Sequence, residues 1–329
     1  MEEKIKVSLP KITLELLKSD CEDFRIVKEN GSPNMNAFIN TLIVNYYETF
    51  SASEESLHDD IKKSLVNVSS IYREKVFQDI LKIFAKRVEA KYDKKDNTTF
   101  SFKPTKFSKK ATIFIEHTLL EEQSLSSYYR RMFISYSEKT KNEREKIIHK
   151  ENFEFLQNAI SKGVQVCVST TANTIMNKLS VYSISAGKDE LYNYVLATDR
   201  KRNVTLRLAK IKTVSLLSTP ADISERNIEL FKRQIECGAQ YTMYNTDDEP
   251  IKVRLSDKGK TLFQKIYLYR PTPISIDGDV YTFNCSQNQL IYYFERFGEH
   301  AVILSPHRLG VFMRNYHYYA LKKYREIYH

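Results

Sequence analysis

The 329-residue sequence contains no tryptophan and is poor in the residues that build several classes of site. Its eight glycines form neither GxGxxG nor GxxxxGK[ST], motifs in which glycine lets the backbone approach a phosphate. Its seven histidines show no HExxH spacing that would place two metal ligands on one helix face. The four cysteines lie far apart, which is typical of free thiols in a reducing cytoplasm. We therefore expect a cytoplasmic protein with no cofactor, no metal and no catalytic group.

Long apolar runs are also missing. No window approaches the roughly 20 consecutive apolar residues that a membrane-spanning helix needs, and the first ten residues lack the apolar core of a signal peptide. We expect no membrane partner. The one acidic run, Asp247-Asp248-Glu249, could suggest a metal-dependent nuclease, but we interpret it as a solvated turn before Pro250. With 42% hydrophobic residues, the chain is long enough for two or three folded domains.

A strand-helix-helix pattern occurs twice in residues 1–150. The first copy, about residues 4–50, contains NMNAFINTLIVNYY, and this segment aligns without gaps with SLSSYYRRMFISYS in the second copy, about residues 99–138. A helical connector is predicted over residues 54–92. This is the ribbon-helix-helix pattern, in which two units pair their strands, so two copies predict a fused pair within one chain. Chance similarity between two helical hairpins is the alternative.

The polar faces of the two predicted strands form a first candidate nucleic-acid surface. In ribbon-helix-helix proteins the paired strands enter the DNA major groove and their outward side chains contact base edges. The candidate residues are Lys4, Lys6, Ser8, Ser101 and Lys103, with Thr99 beside them and Arg130 on the later helix. Asn34 and Ser124 are predicted helix caps whose backbone amides could hold phosphates. Solvated strand residues and ordinary caps are the alternative interpretation.

Residues 190–214 form a second candidate surface, because positive charge is concentrated there. Between Ala159 and Ser218 there are nine Lys or Arg against three Asp or Glu, which is six of the ten net positive charges of the chain. One strand is predicted from Leu191 to Ala197 and an alternating run from Val204 to Val214. Arg200, Lys201 and Arg202 occupy the turn between them. This local charge predicts a polyanion site.

The same hairpin resembles the WYL family. Asn193-Tyr194-Val195 takes the place of the Trp-Tyr-Leu tripeptide, and Leu206-Arg207-Leu208-Ala209-Lys210-Ile211 resembles the family's second strand, without its aspartate. The resemblance implies a small Sm-like or SH3-like barrel over residues 151–220 that senses a charged ligand, often a single-stranded nucleic acid. Cations would attract phosphates and a tyrosine would stack on an unpaired base. The candidate residues are Tyr192, Tyr194, Lys178, Arg200, Lys201, Arg202, Arg207 and Lys210. A core Tyr194 and a solvated turn are the alternative.

Residues 221–329 are predicted to form a helical connector and then a ferredoxin-like extension. The expected order is strand, helix, strand, strand, helix, strand, helix, with strands at 251–255, 267–270, 280–285 and 301–304. Phe297-Gly298, Val302, Leu304, Pro306 and Leu309 resemble the extension that follows WYL barrels. The predicted fold class is therefore α+β.

The order of these three parts resembles the accessory WYL proteins encoded beside type VI-D CRISPR effectors, which are RNA-guided RNA nucleases of antiviral defence. The resemblance implies a non-catalytic protein that binds single-stranded RNA, or single-stranded DNA, and enhances a type VI-D CRISPR effector nuclease. A ribbon-helix-helix transcriptional regulator with a ligand-sensing WYL domain is the alternative. We also expect a homodimer, because the last predicted helix is rich in aromatic residues.

Overall fold

The chain folds as an α+β protein, and its described residues form eleven α-helices and three antiparallel sheets. The structure is a computed structural model that describes residues 4–90, 96–120, 124–189, 191–200, 202–244 and 247–328, with side chains of 85–90 left out. The chain divides into two compact units, Met1–Lys150 and Glu151–His329. Across the described residues, no helix combines the length and the apolar character needed to cross a bilayer.

The first unit combines one two-stranded ribbon with helices. Its elements are β1 (Ile5–Pro10), α1 (Lys11–Asp23), α2 (Met35–Ser64), α3 (Ser70–Ala90), β2 (Asn97–Phe102), α4 (Lys106–Phe114), a π-helical turn (Ile115–Leu119), α5 (Leu125–Ser137) and α6 (Lys141–Ile148). β1 and β2 pair antiparallel, with Val7 opposite Phe100. The apolar face of this ribbon packs on α5, where Phe102 contacts Tyr129 edge to face with ring centroids 5.8 Å apart.

The core of this unit is built from equivalent faces of α2 and α5. Asn34 caps α2 by accepting a hydrogen bond from the Ala37 amide, and Ser124 caps α5 in the same way through the Ser127 amide. The apolar side chains follow each cap at helical spacing, so they lie on one face. Ten aligned side chains are buried: Phe38, Ile39, Leu42, Ile43 and Tyr46 on α2, and Tyr128, Tyr129, Met132, Phe133 and Tyr136 on α5.

The helical connector differs from the prediction. A separate helix was expected over residues 54–92, but α2 continues without interruption to Ser64 and a new helix, α3, begins at Ser70. No Gly or Pro occurs between residues 34 and 64, so nothing in the sequence stops the helix near residue 50. Arg131 of α5 also forms an ion pair with Glu54, which holds the extended part of α2 against α5.

The second unit begins with a five-stranded sheet. Its elements are α7 (Lys150–Lys162), β3 (Val164–Thr170), β4 (Ile175–Ala186), β5 (Asn193–Asp199), β6 (Arg202–Arg207), a 3₁₀ turn (Leu208–Lys210) and β7 (Ile211–Pro220). The strand order is β6-β5-β4-β3-β7. Val166, Leu179 and Val195 contribute to its core, together with Leu156 of α7.

The run from Val204 to Val214, predicted as one continuous strand, is broken by the 3₁₀ turn. Leu208 and Ala209 are both buried. The 3₁₀ turn lets Leu208 enter the same core as Val195, and β7 then runs on from Ile211 to pair with β3. The chain therefore turns at Leu208 and continues in β7, which stands at the opposite end of the strand order from β6.

The rest of this unit contains α8 (Glu225–Cys237), β8 (Ile251–Leu255), α9 (Asp257–Lys265), β9 (Pro273–Asp277), β10 (Val280–Phe283), α10 (Gln287–Phe294), a 3₁₀ segment (Glu295–His300), β11 (Ala301–Ser305) and α11 (His307–Tyr328). The sheet order is β11-β8-β10-β9, with every pair antiparallel. Phe263, Phe283 and Phe294 lie in its core.

The strand predicted over residues 267–270 is wrong. These residues form a turn, and β9 begins later, at Pro273. Tyr269 has φ +60°, a left-handed conformation that a β-strand does not contain. Pro271 follows directly, and a proline removes a backbone donor that a central strand would need. The turn places Tyr267 and Tyr269 at the surface of this unit.

Candidate nucleic-acid interface

The predicted residues of the basic hairpin lie at two ends of β5 and β6. Tyr194 is directly opposite Arg207 at one end, and Asp199 is opposite Arg202 at the other. At about 3.3 Å per residue, Arg202 and Arg207 are roughly 17 Å apart along β6. The structure therefore brings Tyr192, Tyr194 and Arg207 together and separates them from the charged turn.

Tyr192 and Arg207 form a cation–π pair, with the guanidinium carbon 3.3 Å from the ring centroid. Such a pair is electrostatically favourable, and the guanidinium covers one face of the ring. Tyr192 was predicted to stack on an unpaired base, but that face is already occupied. A base could stack on this face of Tyr192 only if the guanidinium moved aside.

Tyr194 is part of the packing between the five-stranded sheet and α8. It is half-buried and packs against the cluster of Leu196, Phe231 and Ala239. Nearby, the Gln234 amide donates to the Thr205 hydroxyl at 2.9 Å, so α8 covers the outer face of β5 and β6. Tyr194 therefore contributes to the packing of β5 against α8.

The remaining predicted cations of the five-stranded sheet that the structure describes are exposed. Lys178 on β4, Arg200 and Arg202 at the β5–β6 turn, and Lys210 in the 3₁₀ turn all face solvent. Arg200 adopts φ +47°, the left-handed conformation that tight hairpin turns require. Lys201, predicted as part of this group, lies outside the described residues. Exposed cations at a turn can approach phosphates without first breaking a packed contact.

The polar face of the β1–β2 ribbon is formed from residues of both strands. Lys6 is opposite Ser101 and Ser8 is opposite Thr99. Lys4, Lys6, Thr99 and Ser101 are exposed, while Ser8 is half-buried. Lys103 follows β2, and its backbone N–H donates to the Asn36 side chain at 2.8 Å.

Arg130, predicted to contact nucleic acid, forms hydrogen bonds within the protein. Its Nη1 donates to the Ser8 carbonyl oxygen at 2.6 Å, and it also reaches Asn97 Oδ1 at 3.4 Å. The half-buried guanidinium thus links α5 to both strands of the ribbon. Asn34 and Ser124 also use their side chains on their own helix amides. This reduces the number of free amides at those helix starts.

Asp247 and Asp248 of the acidic run 247–249 contact other groups of the protein, so the run is not simply solvated. Asp247 is buried and its carboxylate accepts a hydrogen bond from the Tyr244 amide at 3.1 Å. Burial raises the pKa of Asp247 above its usual range. Asp248 pairs with Arg226 and Arg233 of α8. Each of these two carboxylates is therefore held by groups of the protein.

Residues that the sequence interpretation missed lie beside Tyr192. The Gly187 amide donates to the Tyr192 carbonyl at 2.8 Å, and Gly187 itself lies against the Tyr194 ring and Gln240. Burial and the nearby Asp189 carboxylate raise the pKa of Tyr269, which lies in the misassigned turn. Pro271 and Pro273 after Tyr269 were the one sequence signal for a loop here.

These features define an antiparallel α+β protein with exposed cations on a five-stranded sheet and a polar two-stranded ribbon. No protein-family model matches the sequence, and no curated protein matches it. Among solved structures, a crystal structure of a CRISPR Cas-related protein matches with a TM-score of 0.67 and 16% identity. That match covers 99% of this chain and 95% of the other, so the two proteins share a fold along their length.

A second solved structure, proteasome accessory factor B/C of Arthrobacter aurescens, matches with a TM-score of 0.24 and 14% identity. That match covers 71% of this chain and 39% of the other. A score this low carries no structural argument.

Proposed function

We propose that this chain is a non-catalytic accessory protein of a CRISPR system that binds single-stranded RNA and enhances a type VI-D RNA-guided nuclease. The observation that carries the proposal is the fold shared with a CRISPR Cas-related protein over 99% of the chain. The exposed cations of the barrel support the RNA-binding part, because neutralising phosphates is the main source of affinity for a nucleic-acid strand.

The three parts of the chain would then be a fused pair of ribbon-helix-helix units, a WYL barrel and a ferredoxin-like extension. The antiparallel β1–β2 ribbon with its matching helices supports the first assignment. Strands β3 to β6 form a meander, and after the 3₁₀ turn β7 pairs with β3. This topology supports the second assignment, because SH3-like barrels are built in this way. The sheet order β11-β8-β10-β9 supports the third, since strands joined as βαββαβ pair this way in ferredoxin-like folds.

In this function the protein retains RNA and does not cut it. Arg200 and Arg202 would draw phosphates to one end of the β5–β6 pair, and the Tyr192–Arg207 pair would offer a flat surface at the other end. Stacking on aromatic side chains tolerates any base, so the binding should show little sequence preference. RNA held in this way would be delivered to the effector nuclease.

The test is RNA binding by purified protein, followed by an effector assay. A variant with Arg200→Ala, Arg202→Ala and Arg207→Ala should bind oligouridine more weakly than the unmodified chain, and restoring the arginines should recover affinity. The unmodified chain should raise RNA cleavage by a purified type VI-D effector but leave RNA intact when incubated with Mg²⁺ alone. Equal affinity of the triple variant, or cleavage by the chain alone, would contradict the proposal.

The β1–β2 ribbon favours a second candidate function, a DNA-binding transcriptional regulator. Its exposed face carries Lys6 opposite Ser101, in a two-stranded arrangement that the DNA major groove can admit. Footprinting on DNA upstream of the gene should then show protection that disappears with Lys4→Ala and Lys6→Ala. Protection that survives these changes, or no protection, would argue against this function.

A further inference from the structure

A cleft of about 220 Å³ lies where the five-stranded sheet meets the C-terminal part of the second unit. Its wall includes Lys188, Gln240, Tyr241, Tyr267, Tyr269 and Gln289. The cleft adjoins the Tyr192–Arg207 pair, because Gly187 donates to the Tyr192 carbonyl and lies against Gln240. It therefore continues the surface to which the proposed function assigns RNA.

The wall of the cleft contains a hydrogen-bond acceptor without a donor. Gln289 is 1% exposed, and its Nε2 donates to the Cys237 carbonyl at 3.2 Å. This bond identifies which side-chain atom is the nitrogen, so Oε1 is the other atom. Among the residues that the structure describes, no group donates a hydrogen bond to that buried oxygen. A buried polar atom left unpaired costs free energy, so the site is complementary to a ligand that brings a donor.

The same wall contains a hydrogen-bond donor without an acceptor. Gln240 Oε1 accepts from the Lys188 amide at 3.3 Å, which leaves Nε2 as the second polar atom. Nε2 is buried and forms no hydrogen bond with any described residue. It lies near the Tyr241 hydroxyl and partly offsets the rise in the pKa of that phenol, but the two groups do not meet hydrogen-bond geometry.

Aromatic rings complete the wall. Tyr267 is 79% exposed although it lines the cleft, so most of its ring is available as a flat surface. Tyr269 is held at φ +60°, a conformation that costs free energy for a non-glycine residue and tends to occur at functional sites. Together with Tyr241, these rings give the cleft the aromatic character of sites that stack on planar ligands.

The charges in the cleft favour a neutral planar group over a phosphate. Asp189 lies in the wall, and its carboxylate would repel a phosphate. Arg270 also lines the cleft, but its Nη1 donates to the backbone carbonyls of Phe263 and Gln264, so its charge is directed inward. Lys188 is exposed and could meet a phosphate outside the cleft.

We propose that this cleft binds one unpaired nucleobase of the RNA strand, which stacks on Tyr267 and hydrogen-bonds to Gln289 Oε1 and Gln240 Nε2. The proposal rests on the proposed function, because it assumes that the strand is bound on this unit. The hydrogen-bonding edge of a base places donors and acceptors side by side, which suits one unpaired acceptor and one unpaired donor in the wall. The cleft would add to the cationic turn a site that recognises bases.

The test measures the affinity of the full chain for oligouridine with three variants. Tyr267→Ala removes an exposed ring, and Gln240→Glu keeps the acceptor for the Lys188 amide but removes the donor. Tyr267→Ala should weaken binding by about 5-fold to about 150-fold, the range for one stacked base, and Gln240→Glu should weaken binding as well. Tyr292→Ala is the matched control, since Tyr292 is 58% exposed and does not line the cleft. Its affinity should equal that of the unmodified chain.

A second measurement locates the base. Oligouridine carrying one 4-thiouridine, photo-crosslinked and analysed by mass spectrometry, should attach within residues 267–270. Unchanged affinity of Tyr267→Ala and Gln240→Glu, or crosslinks confined to other segments, would overturn the inference. If the chain binds no RNA at all, the proposed function fails by itself. Uridine monophosphate titrated by NMR then decides: binding that Tyr267→Ala abolishes supports the cleft, and no binding overturns it.

Discussion

Replacing Arg200 and Arg202 with alanine should reduce the salt dependence of RNA binding as well as the affinity. Both residues are exposed at the β5–β6 turn, and Arg200 has the left-handed φ of a tight turn. Their removal should leave the sheet intact, because neither residue belongs to the core of the sheet. The variant thus changes the charge at one turn of the five-stranded sheet with little effect on the fold.

The expected size follows from counterion release. Each phosphate neutralised on a single strand contributes about −0.7 to the slope of log affinity against log salt. If each arginine neutralises one phosphate, the double variant should have a slope shallower by about 1.4. The ratio between the affinity of the unmodified chain and that of the double variant should therefore fall about sevenfold when salt rises from about 50 to about 200 mM.

The assay is fluorescence anisotropy of labelled oligouridine at four or more salt concentrations. The control is the double variant Lys252→Ala and Lys258→Ala, which removes two exposed positive charges from β8 and α9 and leaves the same net charge as the arginine variant. The control should keep the slope of the unmodified chain. An unchanged slope for the arginine variant, or an equal change in the control, would refute direct phosphate contact by this turn.

Three further outcomes can be measured. Gly259→Ala should destabilise the second unit by about 1–3 kcal/mol in urea, because a Cβ there would overlap the His300 carbonyl oxygen, although alanine normally favours helices. Tyr136→Phe should cost about 1.5–3 kcal/mol of stability, because the hydroxyl donates to the buried Asp20 carboxylate at 3.0 Å. Light scattering should show a homodimer that Tyr319→Glu weakens, because α11 carries exposed aromatic side chains.

Each of these outcomes has a control or a contradicting result. Lys258→Ala, one position earlier on α9, should leave stability within about 0.5 kcal/mol, and a stabilising Gly259→Ala would mean that the helix moves freely away from the His300 carbonyl oxygen. Tyr72→Phe, on an exposed tyrosine of α3, should be neutral, and an equally neutral Tyr136→Phe would show that the Asp20 carboxylate finds another donor. A monomeric mass of the unmodified chain would contradict the dimer.

Much of the local structure could be predicted because it depends on short-range patterns. Asn34 and Ser124 are strong helix caps followed by apolar residues at helical spacing, and both helices begin there. The apolar-polar alternation of residues 4–9 likewise indicates a strand with one buried face, as β1 has. These signals act within a few residues, so they survive whatever surrounds them.

Other contacts depend on neighbours that are distant in sequence. Arg130 is a surface cation in the sequence, but β1 and β2 pair beside α5 and offer it the Ser8 carbonyl. Tyr192 is an accessible ring in the sequence, yet strand pairing brings Arg207 over one of its faces. Such contacts depend on which elements meet in three dimensions, and no local pattern encodes them.

The cleft shows most clearly the difference between what the sequence determines and what only the tertiary structure determines. Composition and spacing alone established an α+β chain with its excess positive charge in residues 159–218, since charge and periodicity are properties of the residues themselves. Folding brought Gln240 and Gln289, almost fifty positions apart, into one wall beside a turn that had been predicted as a strand. An unpaired donor or acceptor exists only after burial has removed water from it, so a folded chain is required to create this site.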